Sequence, residues 1–158
     1  MANTAVGRFG NDDAGDLGLA SLSRDGVDIP FAEKVAGART QIAFIVIDQR
    51  NGERTVIWKR DANLAYGSEE TPLASIAQTK VLHLTPHDTE ACIRLAVAAR
   101  EKGVIVSTDI DRAFDGIERL LPLVDILIAS ADLPRTLTGI ADHRSSLTAL
   151  KEQFGCGV

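Results

Sequence analysis

Aromatic residues and cysteines are scarce in this chain of 158 residues, which has one Trp, one Tyr, five Phe and two Cys. Cys92 and Cys156 form no C-x-x-C pair and combine with none of the histidines at zinc-ligand spacing, so two free thiols are expected. No apolar run approaches the roughly 20 residues that span a bilayer, and the first residues lack the basic start and apolar core of a signal peptide. We therefore expect a cytoplasmic protein with no membrane partner.

A surplus of positive charge is also missing. The 17 basic and 22 acidic residues give a formal net charge of -5, and the two signs are interspersed along the chain. A nucleic acid partner requires a basic face that neutralises phosphates, so nucleic acid binding is not expected. The hydrophobic content of 45% is sufficient for a real core, most simply in one domain.

The most informative stretch is Gly-Arg-Phe-Gly-Asn-Asp-Asp-Ala-Gly at residues 7–15. Gly7 and Gly10 permit backbone angles and close approach that side chains forbid. An Asn or Asp at positions 11–13 can cap a helix that continues through Leu22 and ends at Asp25-Gly26. The sequence predicts a glycine-rich turn followed by a helix.

Two β-branched and aromatic segments, residues 41–48 and 55–60, surround the turn signal Asn51-Gly52. Both faces of the first segment are apolar, with Ile42, Phe44 and Val46 on one and Ala43, Ile45 and Ile47 on the other. The sequence therefore predicts a β-hairpin at about residues 40–60 whose two faces both need to be covered.

The periodicity changes from residue 80 onwards. Short apolar strands are predicted at 81–84, 104–106 and 125–128, and helices at 88–102, 116–121 and 142–154. Strands that alternate with helices of this length indicate a parallel sheet with right-handed crossovers. The predicted fold class is α/β, a partial parallel sheet flanked by helices at about residues 80–158, with a β-hairpin lid.

The order of these motifs resembles the ribokinase-like (PfkB) carbohydrate kinases. G-x-x-G-x-D-x-x-G is followed by a helix ending in D-G-V-D, an A-R-T strand and a G-E-R-T strand, and the resemblance continues through residues 80–86, 104–112 and 124–139. It covers nearly the whole chain. It implies an ATP-dependent phosphotransferase that acts on a sugar hydroxyl, with the hairpin as a lid that excludes water.

The resemblance also implies that the nucleotide-binding half of the family is absent. The T-x-G strand and the D-T-x-G-A-G-D segment, which supplies the catalytic base, would lie beyond Val158, and Ala2–Val6, which resembles the substrate-contacting G-G-x-x-x-N-x-A stretch, joins Gly7 directly. The family's first strand and its sugar-binding Asp are missing as well. We expect residues 1–158 to be a single partial domain that contains no catalytic residue and is inactive alone. ATP and Mg²⁺ belong to the complete family enzyme, and neither is expected to bind this chain tightly.

Ligands of open parallel sheets bind beyond the carboxyl ends of the strands, where three groups occur at residues 85–87, 108–112 and 130–132. Asp109 and Asp111 can hold magnesium and Arg112 a phosphate; alternatively, the two carboxylates cap the next helix and pair with Arg112. Ser130 and Leu133 stand where the family commonly has an Asn and a Glu that organise magnesium, so two oxygen ligands are lost.

Thr85 can hydrogen-bond a sugar hydroxyl, whereas His87 is either a substrate ligand or a surface residue. The predicted substrate-binding residues are Asn3, Gly7, Gly10, Arg54, Trp58, Lys59, Thr85, His87, Asp109 and Arg112. Trp58 has the alternative of packing within the hairpin. Asp13-Ala14-Gly15-Asp16 imitates the G-A-G-D catalytic signature, but it lacks the preceding D-T-x-G, so no catalytic role is expected for Asp16.

Two functions follow from these expectations. The chain is a fragment or truncated member of a sugar kinase, or it is an inactive sugar-binding or dimerisation module. The predicted partners are a small sugar and a second copy of the chain, with a buried contact formed by Ile42, Phe44, Ile45 and Ile47. The alternative to the dimer is a hairpin covered by the chain's own helices and by residues near Phe31 and Val35.

Overall fold

A computed structural model describes residues 3–67 and 69–157. Ala2 and Val158, which the sequence analysis used, lie outside the described residues. The chain divides into two compact units, the first ending at Ala65 and the second beginning at Tyr66. No helix within residues 3–67 and 69–157 has both the length and the apolar character needed to cross a membrane.

The first unit contains a parallel strand pair, one helix and a hairpin. Its elements are β1 (Asn3–Gly10), α1 (Asp13–Arg24), β2 (Val27–Val35), β3 (Ile42–Ile47) and β4 (Arg54–Lys59), followed by a short 3₁₀ turn at Ala62–Leu64. Strand β1 pairs in parallel with β2. The predicted helix is confirmed, because Asp12 caps α1 by accepting a hydrogen bond from the Gly15 amide at 2.9 Å.

The glycine-rich turn predicted from Gly7 onwards is wrong in extent. Gly7 and Gly10 belong to β1, where they pair in register with Ala32 and Val35, so the turn itself is confined to two residues before α1. Glycine tolerates extended backbone as readily as a turn, and the pairing with β2 decides between them.

The hairpin prediction is confirmed. Strands β3 and β4 pair antiparallel, from Ile42 opposite Lys59 to Ile47 opposite Arg54. The connecting loop is closed by two bonds, from the Asp48 amide to the Glu53 carbonyl and from the Gly52 amide to the Asp48 carbonyl, each 2.8 Å. Gly52 has φ of 75°, a left-handed conformation that favours glycine.

The second unit is a three-stranded parallel sheet with helices. The strands β5 (Val81–Leu84), β6 (Ile105–Ile110) and β7 (Ile126–Ala129) lie in the order β5-β6-β7, and the helices are α2 (Thr89–Glu101), α3 (Ile117–Leu120), α4 (Leu133–Thr138) and α5 (His143–Phe154). The predicted parallel sheet and the caps of α2 and α5 by Asp88 and Asp142 are confirmed. Helix α4 was not predicted, because its six residues are too few for a periodic pattern.

The two faces of this sheet differ sharply in burial. Val106 and Ile110 point into a core that includes Leu120 and Leu150, all fully buried. The opposite face carries Val81, Ile105, Ile126 and Ile128, which are 45–54% exposed. Beyond β7, the Leu127 amide donates to the Gly157 carbonyl at 2.7 Å, so the chain's last described residue already pairs with that edge of the sheet.

Candidate functional site

The carboxyl ends of the three parallel strands form one candidate site within the second unit. Thr85, Asp111 and Ser130 are the first residues after β5, β6 and β7. The Ser130 hydroxyl donates to the Asp111 carbonyl at 2.7 Å, and the Ser130 amide donates to the Ile110 carbonyl at 3.0 Å. These bonds join the loop after β6 to the loop after β7, as expected for ligand-binding loops at the end of an open sheet.

A phenylalanine brings two predicted substrate-binding residues together. The rings of His87 and Phe114 meet edge to face, with centroids 5.4 Å apart and an interplanar angle of 79°. The guanidinium carbon of Arg112 lies 5.0 Å from the centroid of the same Phe114 ring. Phe114 itself packs partly against the core. Its ring therefore holds His87, from the loop after β5, close to Arg112, from the loop after β6.

Sequence reasoning missed Phe114 because a single phenylalanine between Ala113 and Asp115 belongs to no periodic or motif pattern. The usable signal was its position. It lies a few residues beyond a buried strand, among charged residues, in a chain with only five phenylalanines.

Thr85 follows its strand, whereas Asp109 lies within its strand. Thr85 is exposed after β5, and its carbonyl accepts hydrogen bonds from the His87 amide at 2.9 Å and the Cys92 thiol at 3.9 Å. The expectation that Asp109 follows its strand is wrong, because β6 continues to Ile110 and pairs Asp109 with Ile128. The fully buried Thr108 and Ile110 on either side account for this longer strand, so Asp109 lies on the opposite, exposed face.

The alternative role of Asp109 and Asp111 as helix caps is also wrong, since the next helix, α3, begins after Gly116. Within residues 3–67 and 69–157, no group of three or more His, Cys, Asp or Glu side chains can hold a metal ion. Leu133 is 1% exposed and belongs to the core, and the Ser130 hydroxyl is already bonded to Asp111. Asp109 and Asp111 therefore belong to no larger group of ligating side chains within the described residues, and the magnesium role predicted for them stays a prediction.

The hairpin presents its candidate residues on two different faces. Residues paired directly across an antiparallel hairpin share a face. Trp58 is paired with Ala43 and Arg54 with Ile47, which places both on the face of the odd-numbered residues of β3. Lys59 is paired with Ile42 and lies on the opposite face. Lys59 therefore lies on the other face from Arg54 and Trp58, and the ligand role predicted for each of the three stays a prediction.

Both hairpin faces are open to solvent in this structure. The large apolar side chains of β3 and β4 are 38–68% exposed, from Trp58 at the lower end to Phe44 at the upper. Within the first unit, neither α1 nor the residues near Phe31 and Val35 bury these side chains, so that part of the alternative is wrong. The predicted dimer remains a prediction.

The G-x-x-G-x-D-x-x-G motif has a packing explanation at Gly10 and Gly15. A Cβ atom on Gly10 would lie 2.4 Å from the Thr40 amide nitrogen, and one on Gly15 would lie 2.3 Å from the Gly10 carbonyl oxygen. Neither position can carry a side chain without moving backbone. By contrast, a Cβ on Gly7 would meet nothing within 4 Å, so local packing does not explain that glycine.

Two further residues of the first unit have clear surroundings. Asn3 begins β1, is exposed and pairs in register with Val27. Asp16, in the first turn of α1, forms an ion pair of 2.5 Å with Lys34 on β2. That pair links the start of α1 to β2.

Comparison with known proteins identifies the class. Residues 2–155 match the pfkB family carbohydrate kinases. This match covers far more than half of the chain, and the chain belongs to that family.

Particular relatives agree with this assignment. The chain is 30% identical over 127 residues to an ATP-dependent ribose-1-phosphate kinase from Halopiger xanaduensis, covering 79% of this chain and 43% of that protein. A crystal structure of a protein provisionally described as a ribokinase, from Agrobacterium tumefaciens, superposes with a TM-score of 0.86 at 26% identity and covers 96% of this chain and 49% of that one. Arabidopsis thaliana ribokinase complexed with ribose and ATP shares the fold, with a TM-score of 0.74 at 21% identity over 96% of this chain and 52% of that one. The chain spans about half the length of these relatives.

Proposed function

We propose that this chain is the substrate-side portion of an ATP-dependent sugar kinase, which transfers the γ-phosphoryl group of ATP to a sugar hydroxyl. The observation that carries the proposal is the cluster at the strand ends, in which His87 and Arg112 share the ring of Phe114, within a chain that matches the family from residue 2 to residue 155. A guanidinium and an imidazole beside exposed hydroxyl and carboxylate groups suit a polar, hydroxyl-rich ligand.

The proposed roles follow from the environment of each residue. Thr85 and Asp109 hydrogen-bond the hydroxyls of the sugar, while Arg112 attracts anionic groups at the strand ends. Asn3 and Gly7 on β1 and Arg54 and Trp58 on one hairpin face supply the contacts of the first unit. We assign the nucleotide, its metal ion and the catalytic base to sequence that matches the other half of the relatives, because this chain covers only 43% and 49% of two of them.

In this proposal the hairpin closes over the sugar and excludes water, since water at the site would favour hydrolysis of ATP over transfer. We further propose that the hairpin pairs two copies of the chain and that the protein is cytoplasmic. Support for pairing comes from the exposure of Phe44 (68%) and Ile57 (60%), which are paired across the hairpin, because soluble proteins usually cover contiguous apolar surface.

A second candidate function is an inactive sugar-binding or dimerisation module. The open face of the β5-β6-β7 sheet favours it, because Val81 and Ile128 would need a cover from another polypeptide if the chain acts alone. The two candidates differ in whether any phosphoryl transfer is recovered when the missing half is supplied.

The experiment measures ADP release with ribose, ribose 1-phosphate and fructose, first with the chain alone and then with the remaining portion of the Halopiger relative added as a separate polypeptide. We expect no sugar-dependent turnover from the chain alone and measurable turnover from the mixture. Several orders of magnitude separate the two, because a catalytic base and preorganised anion stabilisation together contribute that much.

The matched control is Arg112→Gln against Arg144→Gln, an exposed arginine of α5 that lies outside the three strand-end groups. Arg112→Gln is expected to lower sugar affinity in calorimetry at least several-fold, and Arg144→Gln to leave it unchanged. Sugar binding with no turnover in any mixture supports the inactive module. Absence of both binding and turnover contradicts both functions, as does an Arg112→Gln variant that binds sugar as well as the wild type.

A further inference from the structure

Two consecutive backbone amides at the base of the hairpin are each received by a carboxylate. The Arg39 amide donates to Asp61 at 2.9 Å, and the Thr40 amide donates to Asp12 at 3.0 Å. Asp61 follows β4 by one residue beyond Arg60, and Asp12 is the cap of α1. The segment that enters the hairpin is thus tied both to the segment that leaves it and to the start of the helix.

The side chain of Thr40 strengthens this attachment. Its hydroxyl donates to Asp12 at 2.6 Å and accepts from the Gly10 amide at 2.9 Å. Asp12 therefore uses both oxygens: Oδ1 accepts from the Gly15 amide and the Thr40 hydroxyl, and Oδ2 accepts from the Thr40 amide. These bonds hold the pKa of Asp12 below its usual value, with the Thr40 hydroxyl as the largest cause.

Two glycines make this contact possible. The Cβ that Gly10 lacks would lie 2.4 Å from the Thr40 nitrogen, and the Cβ that Gly15 lacks would lie 2.9 Å from the Thr40 hydroxyl oxygen. The backbone of β1 and the first turn of α1 therefore form a socket for Thr40. We use the name hairpin root for Gly10, Asp12, Gly15, Thr40 and Asp61 together with the Arg39 amide.

Burial contributes little to fixing the direction of the hairpin. Every residue of β3 and of β4 is exposed, with Trp58 the least exposed of the large apolar side chains at 38%. Polar bonds at the root, made by charged acceptors and backbone donors, are the stronger class of hydrogen bond. On the exit side, Arg60 adds a bond of 3.3 Å to the Leu64 carbonyl, and Asp61 also accepts from the Asn63 amide at 3.0 Å.

We propose that Asp12 and Asp61 are positioning residues for the hairpin, which set the direction in which β3 and β4 leave the first unit by receiving the amides of Thr40 and Arg39. The hairpin then moves as one piece about the root. The residues between root and strands, Gln41 and Arg60, are the positions that absorb the change of angle. This inference concerns attachment of the hairpin and stands whether or not the chain binds a sugar.

Asp12→Asn separates positioning from capping. An asparagine keeps one acceptor oxygen, which can still receive the Gly15 amide, and asparagine is among the best helix caps. Its NH₂ group would face the Thr40 amide, so two donors would meet where a donor and an acceptor met before. Asp13→Asn is the matched control, because it removes the same charge one position away, where the structure gives no side-chain bond to Thr40.

The first measurement is amide hydrogen exchange of the full chain by NMR. Asp12→Asn is expected to accelerate exchange at Thr40 about tenfold relative to Asp13→Asn, with exchange at Gly15 much less affected. If Gly15 and Thr40 accelerate equally, or if the two variants behave alike, Asp12 is a helix cap only and the proposal is overturned.

The second measurement reports the direction of the hairpin. Spin labels are attached to the exposed positions of Gln49→Cys in the hairpin loop and Asp28→Cys in β2, since Cys92 and Cys156 are buried and react slowly. The distribution of label distances is expected to broaden or shift in Asp12→Asn and to stay as in wild type in Asp13→Asn. An unchanged distribution in a folded Asp12→Asn overturns the proposal.

If Asp12→Asn fails to fold, Thr40→Val and Thr40→Ser replace it. Valine keeps the shape but leaves the Gly10 amide without its acceptor, whereas serine retains the hydroxyl. A broader distribution with valine and a wild-type distribution with serine support the root. Equal behaviour of the two variants contradicts it.

Discussion

The two units of this chain hold themselves together by different means. Among the described residues, the buried apolar side chains of the first unit are only Ala38 and Leu64, whereas the second unit has a continuous core from Ile76 to Cys156. The first unit instead relies on strand pairing and on carboxylates that bind backbone amides at the hairpin root. We infer that the second unit contributes most of the stability, while the first unit leaves many of its large apolar side chains exposed.

This difference is informative about function. A well-packed sheet keeps the strand-end residues His87 and Arg112 in a defined place, which a binding site requires. A hairpin with little core can change direction at low cost, which a lid requires.

The largest effect is expected from Leu120→Ala in the core of the second unit. Leu120 is 0% exposed, so its truncation leaves a cavity and should lower the free energy of unfolding by about 2–5 kcal/mol. Leu17→Ala in α1 is the control, since Leu17 is 71% exposed and the change should stay within about 0.5 kcal/mol. Urea unfolding monitored by circular dichroism compares them, and equal losses would show that the core is not confined to the second unit.

The next effect concerns pairing of the hairpin with a second copy. Phe44 and Ile57 are direct partners on the face that also carries Lys59, and each can contribute roughly 1.5–3 kcal/mol if the dimer removes it from water. Phe44→Asp with Ile57→Lys should therefore give a monomer in sedimentation equilibrium. The initially predicted contact included Ile45 and Ile47, but these share a face with Arg54 and Trp58, which we propose contact the sugar. Ile45→Asp with Val56→Lys, on that face, should therefore leave the dimer intact. A wild-type monomer at tens of micromolar, or dissociation by the second pair alone, contradicts this assignment.

The sequence predicted most of the fold because its elements carry local signals. Asp88 and Asp142 cap the helices where the sequence places them, and the hairpin has its turn signal at Asn51-Gly52. The extent of β6 was not predictable from residues 104–106 alone, since Ser107, Thr108 and Asp109 look like loop residues. Pairing with β5 and β7 extends the strand to Ile110.

The candidate site was only partly predictable for a similar reason. Arg112 and His87 follow strands and were identified by that position, but Phe114 joins them through a contact across 27 residues from His87 that no local pattern encodes. That Arg54 and Lys59 lie on opposite faces follows from alternation within one strand and was predictable. Which β3 residues share a face with each of them depended on the hairpin register, which a one-residue shift would have reversed.

A smaller effect is expected from acid. The pKa values of Asp12 and Asp61 in the first unit lie below their usual value, because of the Thr40 hydroxyl in one case and the Asn63 amide in the other. Carboxyls with lowered pKa stabilise the native state above their unfolded pKa of about 3.9, and this stabilisation is lost as pH falls through the lower native value. Below about pH 4, the protection factors of amides near the hairpin root, which are exchange rates corrected for the intrinsic effect of pH, should therefore fall.

Asp61→Asn should weaken the pH dependence of protection at the hairpin root, because asparagine does not titrate. The control is Asp13→Asn, which removes the same charge beside the root residue Asp12. Asp142 in the second unit also has a lowered pKa, through the Ser145 side chain, so the start of α5 provides an internal comparison. Protection factors at the root that stay constant through this pH range would contradict a stabilising role of the two carboxylates in the first unit.

The smallest effect tests the strand-end cluster through Phe114. Phe114→Leu keeps an apolar side chain against the core but removes the ring that contacts His87 and Arg112. A cation–π contact at an exposed site contributes about 0.5–1 kcal/mol, so the fold should be kept while the ring-current shift of the His87 protons disappears from the NMR spectrum. Phe114→Tyr retains an aromatic ring and should retain that shift. If Phe114→Leu leaves the His87 resonances where they are in wild type, the two loops are not joined by this ring in solution, and the second unit's strand ends are less ordered than its core implies.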